Sequence, residues 1–181
     1  AYIRSDSADE VQNVRVPLDH LIGKAGEGLK VVLRNLNYSR TLNAAMAIGL
    51  ARSAFEESLA YVKQRKAFDQ LVFDFQGIQW YFAEALAEMD AARLLLYSAA
   101  DAIDEQRDID RHSSEAKLIC CGVANRVTAQ AIQVCGAYGT MVNSPFNRYW
   151  RDAKTFEIGD RRLYDLLTNQ HFTLKENPLK R

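Results

Sequence analysis

The chain has 181 residues, with 23 lysines and arginines balanced by 23 aspartates and glutamates. That length suits one domain, or one domain with an attached piece, and allows about 70% of the unfolded chain's surface to be buried. The balanced and scattered charge excludes a partner recruited by a strong field, such as nucleic acid or an anionic membrane surface. Cys120 and Cys121 are neighbours that point in different directions on a helix, and Cys135 makes the count odd. This argues against a disulfide framework and for small buried side chains in a reducing compartment, cytoplasmic or, in a eukaryote, the mitochondrial matrix. His20, His112 and His171 are dispersed and none follows a glutamate by three residues, which excludes the Glu-x-x-His pairs of a di-iron bundle. No apolar run approaches the ~20 residues of a transmembrane segment. The polar run Arg4 to Gln12 stands where a signal peptide would be apolar, and the abrupt start reads as that of an excised domain.

In chain order, Val14, Val16 and Leu18 alternate with polar or turn residues, predicting a short half-buried strand that Pro17 confines to an edge. Gly23, Gly26 and Gly28 punctuate the passage that follows. From about Gly26 the helical period takes over. Leu29, Val32, Leu33 and Leu36 share one face, and Ala44, Ala47, Ile48, Ala51, Ala54, Leu59 and Val62 continue an apolar side towards Arg65. No proline interrupts, so one long helix or two collinear ones are expected, with Gly49 a mildly unfavourable interior residue. A second helix is predicted from about Asp74, as its cap, to Ile103, with Phe75, Ile78, Phe82, Leu86, Met89 and Leu96 inward. A third runs from about Ser113 to Cys135, with Ala116, Ile119, Val123, Val127 and Val134 inward, and stops at Gly136 and Gly139. Asn143-Ser144-Pro145 is a helix start signal for a short helix reaching about Lys154, and a final helix begins near Asp160. Long antiparallel helices with short connections give an all-α, up-and-down four-helix bundle.

Pattern alone names no activity, because helical bundles host unrelated chemistries. Three segments go further: Arg65-Lys66-Ala67-Phe68 followed by Phe75-Gln76, then Gln133-Val134-Cys135-Gly136-Ala137-Tyr138-Gly139, then Trp150-Arg151-Asp152-Ala153-Lys154-Thr155-Phe156-Glu157-Ile158. In order and spacing they resemble the C-terminal helical domain of the acyl-CoA dehydrogenases, flavoenzymes that oxidise acyl thioesters. Val16-Pro17 with Leu21-Ile22-Gly23-Lys24 resembles that family's exit from its middle β domain, and Leu36-Asn37-Tyr38-Ser39-Arg40 resembles its first long bundle helix. The resemblance implies that residues 1–25 are the tail of the middle β domain and a linker, and that residues 26–181 are the helical bundle. It also implies an FAD cofactor, an acyl-CoA substrate and a homo-oligomer, dimeric or tetrameric.

By the same resemblance, Arg65 reaches the dinucleotide of a neighbouring subunit, Phe68 lies against its adenosine and Gln76 offers it an amide. A guanidinium is a fixed fork of donors suited to phosphate oxygens. A solvated cation favoured by the helix dipole is the other reading of Arg65. Gln133, Gly136 and Ala137 match the segment whose backbone meets the dinucleotide, with Ala137 replacing a second glycine and Asp69 replacing the glycine that follows the phenylalanine. Asn37 and Arg40 match positions that contact the CoA portion of the substrate or brace the active-site helix; both also suit ordinary polar places on a long helix. Arg151 and Asp152 read as anchors between helices.

The family reaction takes a proton from the α carbon and passes hydride from the β carbon to the flavin. The base must be a carboxylate within hydrogen-bond reach of that carbon. Of the family's two positions for it, one is Ser39 here, which cannot serve, and the other is Asp160, where most members carry the glutamate of Glu-Gly-Thr. Asp160 is therefore the candidate base; a cap for the last helix is the competing reading. Arg161 and Arg162 stand where the family has glycine and a flavin-contacting threonine, so Arg162 is the candidate flavin contact, and the family pattern is lost beyond it. The resemblance leaves two alternatives: a relative acting on another carbon acid, as nitroalkane oxidases do with an aspartate at this position, and a non-catalytic partner subunit.

Overall fold

A computed structural model describes residue 15, residues 17–107 and residues 109–159. The chain divides into two compact units, Ala1–Arg34 and Asn35–Arg181. In the first, Leu18–His20 forms a single 3-10 turn after Pro17. This corrects the expected strand at Leu18, which is exposed on the turn; Val14 and Val16 lie outside the described residues. Pro17 has no N–H to give a ladder. Helix α1 (Gly28–Val62) starts in this unit and continues into the second. Leu29, Val32 and Leu33, expected to share one face, are exposed on its opening turns. Periodicity marks an apolar face without saying what covers it.

The second unit holds the rest of α1, a hairpin of β1 (Lys66–Ala67) and β2 (Gln70–Leu71), then α2 (Gln76–Asp104), α3 (Ile109–Cys135), the short α4 (Ala137–Thr140) and α5 (Pro145–Ile158). Side-chain contacts fix the directions. Along α2 and α3, Glu88 meets Arg126, Ala92 meets Cys120 and Ser98 meets His112, so one number falls as the other rises and the pair is antiparallel. Asn37 meets Asp110 and Tyr61 stacks on Tyr138, so α1 runs parallel to α3. Helix α5 starts near Tyr138 and ends beside Lys117, antiparallel to α3. The result is the expected up-and-down four-helix bundle.

Alanine dominates the core. Ala44, Ala47, Ala51, Ala54, Ala92, Ala116, Ala124 and Ala153 have no exposed surface. Small side chains at these positions let the helix backbones approach closely, and a larger residue would force them apart. The α2 stripe holds at Phe82 and Met89, with Phe75, Ile78 and Leu96 half-buried, and alanines complete its seam. Phe82, Ala85, Met89, Ala92, Ala99 and Ala102 are buried, whereas Leu86 points outward. On α3, Ala116, Val123, Val127 and Val134 are inward as expected, Ile119 is exposed, and both Cys120 and Cys121 are buried. By length and composition α3 could cross a membrane. Half of its most apolar stretch is buried within this unit, as befits the central helix of a bundle.

Helix ends follow local chemistry with two corrections. Asp74 does not cap α2; it sits in a 3-10 turn, Val72–Asp74, and Phe75 occupies the cap without a side-chain bond. Helix α3 begins at Ile109, a turn before the expected Ser113. Ser144 does cap α5, its hydroxyl accepting from the Phe146 N–H at 3.3 Å with Pro145 in the first turn. Helix α5 runs past Lys154 to Ile158. The final helix expected from Asp160 lies outside the described residues.

Candidate functional site

The first part of the site is the hairpin after α1. Lys66 pairs with Leu71 and Ala67 with Gln70, leaving Phe68 and Asp69 as a two-residue turn. Both have positive φ, 53° and 62°, which is the type I′ geometry that matches the twist of antiparallel strands. Glycine or asparagine suits these positions, and aspartate tolerates the second. A phenylalanine held left-handed at the first is an outlier of the kind that clusters at functional positions. Its ring is 91% exposed and meets Phe75 edge-on at 6.4 Å. Ala67, Phe68, Val72, Phe75, Ile78 and Trp80 line one side of an open groove of about 770 Å³. Asp69 is thus a turn residue before it is a charge near any ligand. Asp69→Gly is expected to raise the unfolding free energy by up to about 1 kcal/mol by removing left-handed strain, read as a shift in urea midpoint.

The second part is the end of α3. The Gly136 backbone has φ 58° and ψ −137°, a region closed to residues with a Cβ, and its N–H donates to the Gln133 carbonyl at 3.2 Å. Gly139 has a different reason to be glycine. A Cβ there would stand 2.6 Å from the Ile132 carbonyl oxygen, so α4 rests directly on the α3 backbone. Tyr61 and Tyr138 stack at 5.0 Å between centroids, joining this loop to the end of α1, where the Arg65 N–H donates to the Tyr61 carbonyl. Arg65, Phe68, Gln76, Gln133, Gly136 and Ala137 are therefore exposed at one end of the bundle.

Asn37 and Arg40 lie at the other end. Helix α3 places Asp110 and Gly136 about 35–40 Å apart. Asn37 is buried on α1; its amide nitrogen donates to the Asp110 carboxylate and its oxygen accepts from Arg40 Nη1 at 3.1 Å. Arg40 is only 1% exposed. These two side chains join α1 to the start of α3 from inside the bundle. Arg151 is exposed and Asp152 half-buried on α5. Asp160 and Arg162 lie outside the described residues, but Gly159, the residue before Asp160, is described. Its backbone is extended, with ψ 133°, so the chain leaves the helix axis there.

A buried polar group near this exit had no place among the sequence expectations. Lys117, Cys121 and Asn125 follow at intervals of four on α3, one face of a helix, and all three reach the last turn of α5. The signal was available in the sequence as a lysine next to Ala116 on the inward stripe. The thiols themselves are inert. Burial pushes Cys120 and Cys135 up to about 12, and Cys121 to about 11, where Lys117 offsets part of the effect. All three are raised from the ordinary 9.0, so the folded state keeps protons that the unfolded chain releases. Their contribution to stability is whole below pH 9 and is lost as pH rises towards 11–12. At pH 8 a thiol reagent is expected to label the native protein slowly and the urea-unfolded protein at once, read by absorbance of the released thiolate.

The bundle, the left-handed hairpin and the glycine loop define a helical domain with Arg65, Phe68 and Gln133 exposed at one end. The sequence profile "Acyl-CoA dehydrogenase, C-terminal domain" matches residues 26–160. The chain belongs to the acyl-CoA dehydrogenase family through that domain. It is 36% identical over 154 residues to the short/branched chain specific acyl-CoA dehydrogenase of Bos taurus mitochondria, covering 84% of this chain and 36% of the relative. It is 38% identical over 160 residues to the probable acyl-CoA dehydrogenase YngJ of Bacillus subtilis, covering 87% and 42%. Among solved structures it superposes on butyryl-CoA dehydrogenase from Megasphaera elsdenii with a TM-score of 0.80 and 35% identity, covering 82% and 39%. It also superposes on Podospora anserina nitroalkane oxidase with a TM-score of 0.80 and 26% identity, covering 88% and 40%. The chain thus spans about two-fifths of the length of these relatives.

Proposed function

We propose that this chain is the C-terminal domain of an FAD-dependent acyl-CoA dehydrogenase that introduces an α,β double bond into acyl-CoA thioesters. The observation that carries the reading is the exposed end of the bundle, which presents Arg65, Phe68, Gln76, Gln133 and Gly136, with Phe68 also lining the open groove. The residues there fit a dinucleotide. An exposed aromatic ring at the hairpin tip and an apolar groove suit an adenosine, Arg65 suits a pyrophosphate, and Gly136, with no side chain and open space beside it, allows close approach to the backbone. Asp69 in the hairpin turn and Glu84 on the groove oppose an anion, and the exposed Arg65 and Lys66 offset them in charge. Because this end faces outward, the dinucleotide would be shared with a second copy, as a dimer or tetramer. The flavin, when bound, supplies the hydride acceptor. From this chain Asp160 would remove the α proton, and Arg162 would lie near the flavin. Asn37 and Arg40 would hold the helix ends behind the thioester. Three unpaired thiols suit a reducing compartment, the cytoplasm or the mitochondrial matrix.

Nitroalkane oxidation is a second reading, favoured by an aspartate at position 160 and by the structural likeness to the Podospora enzyme. The experiment that separates them is flavin absorbance of the complete gene product, followed by anaerobic bleaching. Bleaching by one of a panel of acyl-CoA thioesters supports the dehydrogenase. A yellow protein bleached by nitroalkanes alone supports the second reading. A folded, colourless protein overturns both and leaves the bundle a role in assembly.

A further inference from the structure

Helix α2 carries a second ordered row, on a side that the bundle leaves exposed. Leu86 and Tyr97 are 49% and 56% exposed, and the side chains of Asp90 and Arg93 are 58% and 51% exposed. From Leu86 to Tyr97 the steps are four, three and four residues, the interval at which side chains line the seam between two packed helices. Ala83 and Ala100 continue the row by three residues at either end, and small side chains there let a second backbone come close. A single exposed leucine needs no explanation. Large apolar residues and one opposite pair of charges on seam spacing are a different matter, because that is the pattern of a contact surface.

The row also matches itself when reversed. Turned end for end about a point between Ala91 and Ala92, Leu86 falls opposite Tyr97, Asp90 opposite Arg93 and Ala83 opposite Ala100. A two-fold axis does this to two copies of one helix, and the contact it makes is isologous. Charge selects the direction. Laid parallel and in register, two copies set Asp90 against Asp90 and Arg93 against Arg93; laid antiparallel, they set each aspartate against an arginine. We propose that this face of α2 is a self-association surface, on which α2 of a second copy packs antiparallel with Asp90 and Arg93 setting the register. Asp90 and Arg93 already stand 3.5 Å apart along the helix, so the contact closes a ring of alternating charges. The inference goes beyond the flavin reading and does not rest on it. None of these residues is assigned to the dinucleotide, and the row occupies the middle of α2 rather than the end that carries Gln76.

The test measures the mass of the complete gene product by light scattering after gel filtration, with circular dichroism and flavin absorbance on the same samples. Asp90→Arg and Arg93→Asp each turn the ring to one sign, and each should give particles of about half the wild-type mass. Helicity should not change, since both sites are exposed. The double exchange, Asp90→Arg with Arg93→Asp, restores the alternation and should recover the wild-type mass. An equimolar mixture of the two single variants should do the same, because one copy then carries only cations at these positions and the other only anions. Mixing repairs a contact between copies and cannot repair one within a helix. Wild-type mass in both single variants overturns the proposal, as does a double exchange or a mixture that stays at half mass. A wild-type protein with the mass of one chain overturns it at the outset. If a single variant loses helicity, Leu86→Ser replaces it: the same fall in mass is expected, and an unchanged mass overturns the proposal. Flavin is read separately, so a colourless wild-type protein with the expected pattern of masses removes the dinucleotide reading and leaves the surface standing.

Discussion

Asp160→Ala in the complete gene product should lower the rate of flavin reduction by about 100- to 10,000-fold, the usual range for loss of a positioned general base, with flavin content unchanged. Asp160→Glu is the informative companion. It restores the longer side chain that most of the family carries, so a base that acts at the limit of its reach should be retained or improved. A helix cap behaves oppositely: Asp160→Ala would cost about 1 kcal/mol of stability and leave the rate intact. Stopped-flow absorbance for the rate and urea titration for stability separate the two roles in the same pair of variants. A variant that loses only stability removes Asp160 from the chemistry.

The second large effect is on folding. Phe146 is 2% exposed, where the start of α5 meets the loop after α3. Its ring meets Tyr138 edge-on at 6.1 Å and Tyr149 at 6.4 Å. The Tyr149 hydroxyl donates to Glu57 on α1 at 2.5 Å, and burial first, then this carboxylate, raises the phenol above its ordinary range. Phe146→Ala removes the ring that joins these contacts and should destabilise the bundle by about 3–5 kcal/mol, the range for emptying a buried aromatic site. Phe146→Leu keeps more of the volume and should cost less. The Tyr138–Tyr61 stack ties the Gly136 loop to α1, so flavin content should fall in parallel with stability across the two variants. Urea midpoints with absorbance at each concentration would check this. Flavin retained in a destabilised Phe146→Ala would detach the loop from the cofactor.

How far the sequence reached can be followed residue by residue. On the α3 stripe Ala116, Val123, Val127 and Val134 were correct because α3 is central and their face meets its neighbours, whereas Ile119, at the edge of that face, is exposed. Ser144-Pro145 was correct because capping depends on a few adjacent atoms. Asp74 misled for the same local reason: it is a good cap, but the chain spends it in a 3-10 turn that brings Phe73 against Phe82 and delays the helix to Gln76. Leu86 misled because hydrophobicity scales rank leucine above alanine, while helices at close approach select the smaller side chain for the seam. The hairpin was invisible, since Phe-Asp has none of the composition of a type I′ turn and only the pairing of Lys66 with Leu71 and Ala67 with Gln70 enforces it. Lys117 was legible as a residue and not as a role, because its partner is a backbone carbonyl forty residues away.

The sequence by itself determined the helices, the bundle class and, through three motifs in fixed order, the family. Those features depend on local propensity, period and spacing, which a linear text contains. Only the tertiary structure decided which faces are inward, that Arg65, Phe68, Gln76 and the Gly136 loop share one end of the bundle while Asn37 and Arg40 lie at the other, and that α5 ends against a buried lysine. Each of these depends on atoms far apart in the chain being brought within a few ångströms, and burial, dipole and desolvation act over that distance rather than along the sequence.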